Sequence, residues 1–355
     1  MNPKIKYWDA AATTPVDERV LEAMLPYFSE IFGNASSNHI YGKRAKNAIE
    51  IARSHVADLI NSDKKEIYFT SGATEAINWG LKGYLEANPE KGNHIITVKT
   101  EHKAVLSTCE YLESKGYEVT YLEVDKNGLI NLEELESNIK TNTSLISVMY
   151  VNNEIGIIQD IPAIGEIARK YEVVFFCDAT QALGKVPVNV EADNIDMLAL
   201  SAHKFNGPKG VGALYVRKGL KILPLLHGGG QENGLRAGTY NTPLIVGLGE
   251  ASRLAKEEFN ERVEKLKTKR LEIEEYFVSN NYGTINFKNQ KTAPHILSVT
   301  LNGYDAEDYL IEKNQEFAAS TGSACNSGLI QKSYVVKALF NKENIQSIIR
   351  LSVNL

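Results

Sequence analysis

Short apolar runs alternate with amphipathic stretches along most of the chain. Residues 43–60 place Ala45, Ala48, Ala52, Val56 and Leu59 at helical spacing. IYFT (67–70) then reads as a strand, and residues 71–85 as a helix with a glycine-rich, hydroxyl-rich start. HIITVKT (94–100) is a strand, residues 102–115 are helical up to Gly116, and YEVTYLEV (117–124) alternates as a strand does. SLISVMYV (144–151), VVFFCD (173–178), IDMLALS (195–201) and GALYVR (212–217) are compact apolar runs, most of them separated by helical segments. Such runs are buried on both faces, so the pattern predicts an α/β fold with a mostly parallel sheet covered by helices. Residues 254–277 change character: one long charged helix, with Leu254, Phe259, Val263, Leu266 and Ile273 inward, reads as a solvated connection between domains. HILSVTL (295–301) and the segments after it read as a smaller α+β domain.

The chain has 355 residues, enough for about two domains, and its 43% hydrophobic content excludes wholesale disorder. Acidic and basic residues number 44 and 39, with no basic block, so direct nucleic-acid binding is not expected. No apolar run approaches a bilayer span. MNPKIKYWDAAATTP lacks the apolar core of a signal peptide, and three cysteines make no disulfide framework. These readings predict a cytoplasmic protein without membrane attachment.

Four places carry candidate chemistry. Ser201-Ala202-His203-Lys204 follows an apolar strand and precedes a glycine-rich turn. A lysine there is either a surface cap on the strand or a partly desolvated amine available for a Schiff base. Thr70-Ser71-Gly72-Ala73-Thr74-Glu75 is a strand-to-helix turn, either a plain capping box or a phosphate cradle of helix N–H groups and hydroxyls. It matches neither dinucleotide nor nucleoside-triphosphate motifs. Asp178 ends a buried strand, as a helix cap or as the partner of a protonated ring nitrogen. Cys109 and Cys177 read as core residues, whereas Cys325 lies in a stretch without apolar periodicity that reads as a mobile loop. No CxxC pair occurs, so no metal is expected.

In this order and spacing, the motifs from Asp9-Ala10-Ala11-Ala12-Thr13-Thr14-Pro15 to Arg350 resemble the cysteine desulfurases. They include TSGATE (70–75), TEHKAV (100–105), VNNEIG (151–156), DATQ (178–181), SAHKFNGPKG (201–210), GGGQENGLRAGT (228–239), STGSACNSG (320–328) and IIRLSVN (348–354). These are pyridoxal-phosphate enzymes of the class-V aminotransferase-like fold, and the cysteine loop is similar to that of the long-loop group. The resemblance implies fold type I, with a mostly parallel seven-stranded sheet in a large cofactor-binding domain (14–255). It places 1–13 and 256–355 in a small domain. It makes Lys204 the Schiff-base lysine. Thr74, Ser201, His203 and the Ala73 backbone hold the cofactor phosphate, Asp178 pairs with the ring nitrogen, and Gln181 bonds the ring hydroxyl. His102 stacks on the ring as an acid/base. Asn153 lies beside cofactor and substrate, and Arg350 clamps the substrate carboxylate. Thr239 reaches the phosphate of a neighbouring subunit, which implies a homodimer with a shared active site. The implied reaction converts L-cysteine to L-alanine and leaves its sulfur on Cys325 as a persulfide. A sulfur-acceptor protein would take it onward for iron–sulfur assembly, tRNA thiolation or DNA sulfur modification.

The chain departs from that pattern in three places. Asn233 stands where the family usually has arginine, Asn354 where glycine is common, and the sequence stops at Leu355, so either the small domain lacks a helix or the sequence is a shortened one. Two other functions compete. One is another pyridoxal-phosphate activity on the same fold, a selenocysteine lyase or a small-substrate aminotransferase. The other is an impaired paralogue that acts as a binding partner. Cys325 argues against the aminotransferase, and the Lys204, Asp178, His102 and Cys325 set against the impaired paralogue.

Overall fold

The computed structural model describes residues 5–322, 333–340 and 345–355. In chain order the described strands are β1 (Lys6–Tyr7), β2 (Ile67–Thr70), β3 (His94–Val98), β4 (Glu118–Leu122), β5 (Thr143–Ser147), β6 (Val174–Asp178), β7 (Met197–Ser201), β8 (Gly212–Val216), β9 (Gly283–Ile285), β10 (Ile296–Leu301), β11 (Phe317–Ala318) and β12 (Ile348–Ser352). Seven of them form one sheet in the order β2-β8-β7-β6-β5-β3-β4. The pairs from β7 through β6, β5 and β3 to β4 are parallel, and β8 runs antiparallel to both its neighbours. This is the mostly parallel seven-stranded sheet of fold type I.

The period of two along each strand sorts its side chains onto two faces. Ile96, Ile146, Phe175, Leu198 and Leu200 enter one core cluster, which also takes Ala45, Ile49, Ala52 and Val56 of the helix Ile40–Ile60. Ile95, Leu145, Phe176, Met197 and Ala199 enter the other, with Ile77, Trp79 and Leu81 of the helix Ala73–Ala87. Both faces are dry, which is why these strands read as continuous apolar runs. The helices Ile40–Ile60 and Thr242–Glu257 approach closely because Gly249 faces Ala52; a Cβ on that glycine would lie 2.5 Å from the Ala52 Cβ.

The smaller sheet is antiparallel, in the order β12-β10-β9. Leu297, Val299 and Leu301 of β10 and Ile349 and Leu351 of β12 share a core with Leu266, Ile273 and Phe277. The beginning of the chain joins it: β1 pairs with β11, and Asp9 bridges to Ser352. The Asn206 carboxamide bonds the Pro15 carbonyl and the Asn354 side chain, tying this end of the chain to the turn after β7.

Two expectations need correction. Residues 254–277 are not one helix: the helix Thr242–Glu257 ends and Phe259–Ser279 begins across Glu258, whose φ of −99° and ψ of 14° leave the helical path. Glu258 pairs there with Arg19 and Arg262, so the break is fastened by ions. The apolar run 144–151 is a strand only to Ser147; beyond it the chain leaves the ladder, and Val151 bridges Ile158 instead. No described helix is long and apolar enough to cross a membrane.

Candidate active site

A cavity of about 420 Å³ opens beyond the carboxyl ends of the parallel strands, the usual place for a ligand in such sheets. Each strand that ends there delivers chemistry in its following turn. Ser71 to Thr74 come after β2, His102 after β3, Asn153 after β5, Asp178 and Gln181 from the end of β6, and Ser201, His203 and Lys204 from β7. Arg350 reaches the cavity from β12 of the smaller sheet, and Ala11 and Ala12 from the start of the chain. The structure thus gathers Ala73, Thr74, His102, Asn153, Asp178, Gln181, Ser201, His203, Lys204 and Arg350 around one space. Thr239 is exposed and not among the lining residues. Cys325 lies outside the described residues. Cys109 and Cys177 are fully buried; burial first, and nearby carboxylates second, push the Cys109 thiol up to about 12 and Cys177 well above its ordinary value. Both are core thiols, as the sequence predicts.

One end of the cavity suits an anion. The helix Ala73–Ala87 begins at Gly72 with no side-chain cap, so its first-turn N–H groups face the cavity mouth together with Ser71 and Thr74. Gly212 lets this turn lie against β8; a Cβ there would fall 2.8 Å from the Gly72 Cα. Glu75 caps the turn from behind, accepting from the Ser71 N–H at 2.8 Å and from Arg236 at 2.8 and 3.1 Å. Burial raises the Glu75 carboxyl, but Arg236 and Ser71 outweigh it and leave it below its ordinary value. His203 packs beside this end with Nδ1 3.1 Å from Thr13 Oγ1. Burial, followed by the charges of Lys204, Lys209 and Lys185, pushes it down to about 4, so at neutral pH the ring is uncharged and offers one N–H.

At the centre, the Lys204 ammonium donates to the carbonyls of Ala11 at 2.7 Å and Ala12 at 2.8 Å. Asp178 is buried at the end of β6, and one of its oxygens accepts from the Thr180 N–H at 2.9 Å. Below it Glu101 is fully buried. Burial, then the Asp178 charge, holds its carboxyl well above the ordinary range, while one oxygen accepts from the Met149 N–H. His102 caps the helix Lys103–Glu113, its Nδ1 accepting from the Ala104 N–H at 3.2 Å.

At the far end, Arg350 is 3% exposed and held from three sides. It donates to Asp9 at 2.6 Å, to Ser320 Oγ at 2.7 Å and to the Asn153 carbonyl at 3.1 Å. Its Nε is buried and has no hydrogen-bond partner among the described residues. The sequence reading gave no role to Asp9, to the Ala11 and Ala12 carbonyls, or to His295, which contacts Gln181. Asp9 stood in a recognised motif; His295 carried no local signal, because only the meeting of β10 with the cavity gives it meaning.

The donor set fits a phosphorylated pyridine aldehyde. The bare helix N-terminus, hydroxyls and a neutral imidazole match a phosphate, and a buried carboxylate and an amine occupy the centre of the same cavity.

Residues 6–355 match the sequence model of the class-V aminotransferases. A cysteine desulfurase IscS from Neisseria meningitidis serogroup C (strain 053442) is 52% identical over 349 residues, covering 96% of this chain and 84% of that protein. Among solved structures, a NifS-like protein superposes with a TM-score of 0.91 at 38% identity, covering 99% of this chain and 94% of the other. SspA in complex with cysteine superposes with a TM-score of 0.87 at 39% identity, covering 98% of each.

Proposed function

The chain belongs to the cysteine desulfurases, pyridoxal-phosphate enzymes within the class-V aminotransferase family, and from that premise we propose the part that each of its own residues takes in moving sulfur from L-cysteine. The observation that carries these assignments is the convergence of Lys204, Asp178, Gln181, His102 and Arg350 on one cavity with an uncapped helix N-terminus at its end.

Pyridoxal 5′-phosphate supplies an aldehyde carbon for amines and a protonated ring that accepts electrons. Its phosphate would be held by the N–H groups of Ala73 and Thr74, the hydroxyls of Thr74 and Ser201, and His203. Asp178 would face the ring nitrogen, and Gln181 the ring oxygen. His102 would lie on the ring face, with Asn153 beside cofactor and substrate. The Lys204 amine would bind the aldehyde carbon and, once freed by the incoming substrate, take the α-proton. Arg350 would receive the substrate carboxylate on its planar fork. Cys325 would then attack the substrate sulfur as a thiolate. The carbon–sulfur bond breaks, a sulfur–sulfur bond forms, and the remaining three-carbon fragment leaves as L-alanine after reprotonation.

Two further proposals concern organisation. We assign residues 14–255 to cofactor binding, and 1–13 with 256–355 to a smaller unit that brings Arg350. Exposed Leu25, Phe28, Phe32, Ile40 and Tyr41 support self-association, since isolated domains seldom leave so many large apolar groups uncovered. In such a homodimer Thr239 would serve the partner's phosphate site. The sulfur would pass from Cys325 to a separate acceptor protein.

The test is turnover of the cofactor-loaded chain with L-cysteine. Alanine and sulfide are expected in equal amounts when a reductant is present, and peptide mapping under non-reducing conditions should find one extra sulfur on Cys325. Alanine formed with the extra sulfur elsewhere overturns the Cys325 role; transamination without sulfur release overturns the reading as a whole. Arg350→Lys tests the carboxylate clamp. It exchanges a bidentate fork for a single point of attachment, so KM for L-cysteine should rise about tenfold to a hundredfold. An unchanged KM would place the carboxylate elsewhere.

A further inference from the structure

His295 precedes β10 and is 1% exposed, at the seam where the smaller sheet meets the cavity. Its Nε2 lies 3.1 Å from Gln181 Oε1. On the other side of the same carboxamide, Gln181 Nε2 donates to the Ala11 carbonyl at 2.8 Å. These two contacts decide which way the amide points. A carbonyl oxygen only accepts, so the Gln181 edge on Ala11 must be the NH₂ group. Its oxygen therefore faces His295, and His295 must carry its proton on Nε2 to donate. The second hydrogen of the NH₂ group remains for a ligand in the cavity, which Gln181 lines.

We infer that His295 is a positioning residue for the cofactor, fixing the Gln181 carboxamide so that it presents N–H and not C=O to the ring oxygen. This rests on the reading that the cavity takes pyridoxal phosphate with its ring oxygen at Gln181. The ring is suited to the task because it is uncharged: burial first, then the charges of Lys185, Arg270, Arg350 and Lys204, hold it well below its ordinary value. A neutral imidazole has one N–H, and among the described residues its buried Nδ1 makes no hydrogen bond, so the Nε2–H tautomer meets the acceptor on Gln181. Without His295 the amide oxygen loses its donor and only the Ala11 carbonyl holds the group, so a rotated amide, whose oxygen would favour a protonated ring hydroxyl, becomes accessible.

The consequence is spectroscopic. A donor on the ring oxygen lowers the pH at which that oxygen loses its proton, and an acceptor raises it. The test is a pH titration of the visible absorbance of the cofactor-loaded chain. His295→Asn withdraws the donor from the Nε2 position and should move the midpoint up by roughly one unit. His295→Gln restores an N–H at that reach and should bring the midpoint back to within a few tenths. Titrations of His295→Asn and the parent chain that superimpose overturn the inference. Should His295→Asn not fold, a crystal structure of the loaded parent chain decides: Gln181 still on His295 supports the inference, and Gln181 rotated off it overturns it. A parent chain that takes up no cofactor overturns the underlying reading, and the inference with it.

Discussion

Lys204→Ala is expected to lower turnover of L-cysteine by ~10³-fold or more and to leave no cofactor attached after borohydride reduction. Two losses combine. The amine is the covalent anchor, and it is also the group placed to carry the α-proton, a role typically worth ~10²–10⁴-fold by itself. The structure shows why the site survives the substitution. The lysine extends from the turn after β7, and its ammonium group donates to the carbonyls of Ala11 and Ala12, which are backbone atoms that stay in place without it. Ala11 keeps the Gln181 amide as a donor, and the strands beneath stay buried. The variant should therefore fold and still take up cofactor on its phosphate end. The measurement is intact mass after borohydride treatment, alongside alanine release. A trapped adduct at the parent level would remove Lys204 from its assigned role, whatever the rate.

Much of this arrangement could be read from the sequence, for a reason visible in the sheet. Strands buried on both faces are mostly apolar, so IYFT, VVFFCD and IDMLALS announce themselves, and Asp178 and Ser201 close two of them at the carboxyl ends, where the cavity is. Asp178, Ser201 and Lys204 were legible on that ground alone as candidates, and the order of motifs settled what they resemble. Less was legible where an effect depends on three-dimensional approach. The break at Glu258 is invisible because both flanking helices share one charged periodicity; Arg19, which fastens it, lies over two hundred residues away in the chain. Asp9 and Ser320 meet Arg350 only because β1, β11 and β12 come together. Asn233, conspicuous as a departure from the family pattern, has a local account: its φ of 58° is left-handed, a conformation asparagine tolerates better than most residues, beside the buried Arg53–Glu232 pair.

Lys185→Met is expected to stabilise the cofactor-free chain at neutral pH and to lose that advantage in alkali. Lys185 follows Gln181 by four residues, and its ammonium nitrogen is buried without a hydrogen-bond partner among the described residues. Burial, reinforced by the Lys204 charge, pushes its pKa down to about 7 from an ordinary 10.5. Between those values the unfolded chain holds a proton that the folded chain has given up. Stability of the parent therefore rises with pH from about 7 to about 10.5, while below pH 7 the folded state carries the full cost of the buried charge. Methionine fills the same space without that cost. At ~1.4 kcal/mol per unit, the variant should lead by about 4 kcal/mol at pH 7, about 2 at pH 9, and almost nothing above 10.5. Urea unfolding at those three pH values checks it, and a lead independent of pH would mean packing and not charge is responsible. So costly a lysine has a physical role open to it in the same cavity. Lys204 and Arg350 line it, and Lys185 acts on Lys204, His203 and His295 through its charge. Positive charge gathered there opposes folding until an anion arrives. Stabilisation by added pyridoxal phosphate should accordingly be larger for the parent than for Lys185→Met, because the phosphate meets a field that the variant has weakened. Equal stabilisation of the two chains would separate Lys185 from cofactor binding and leave it a cost without a return.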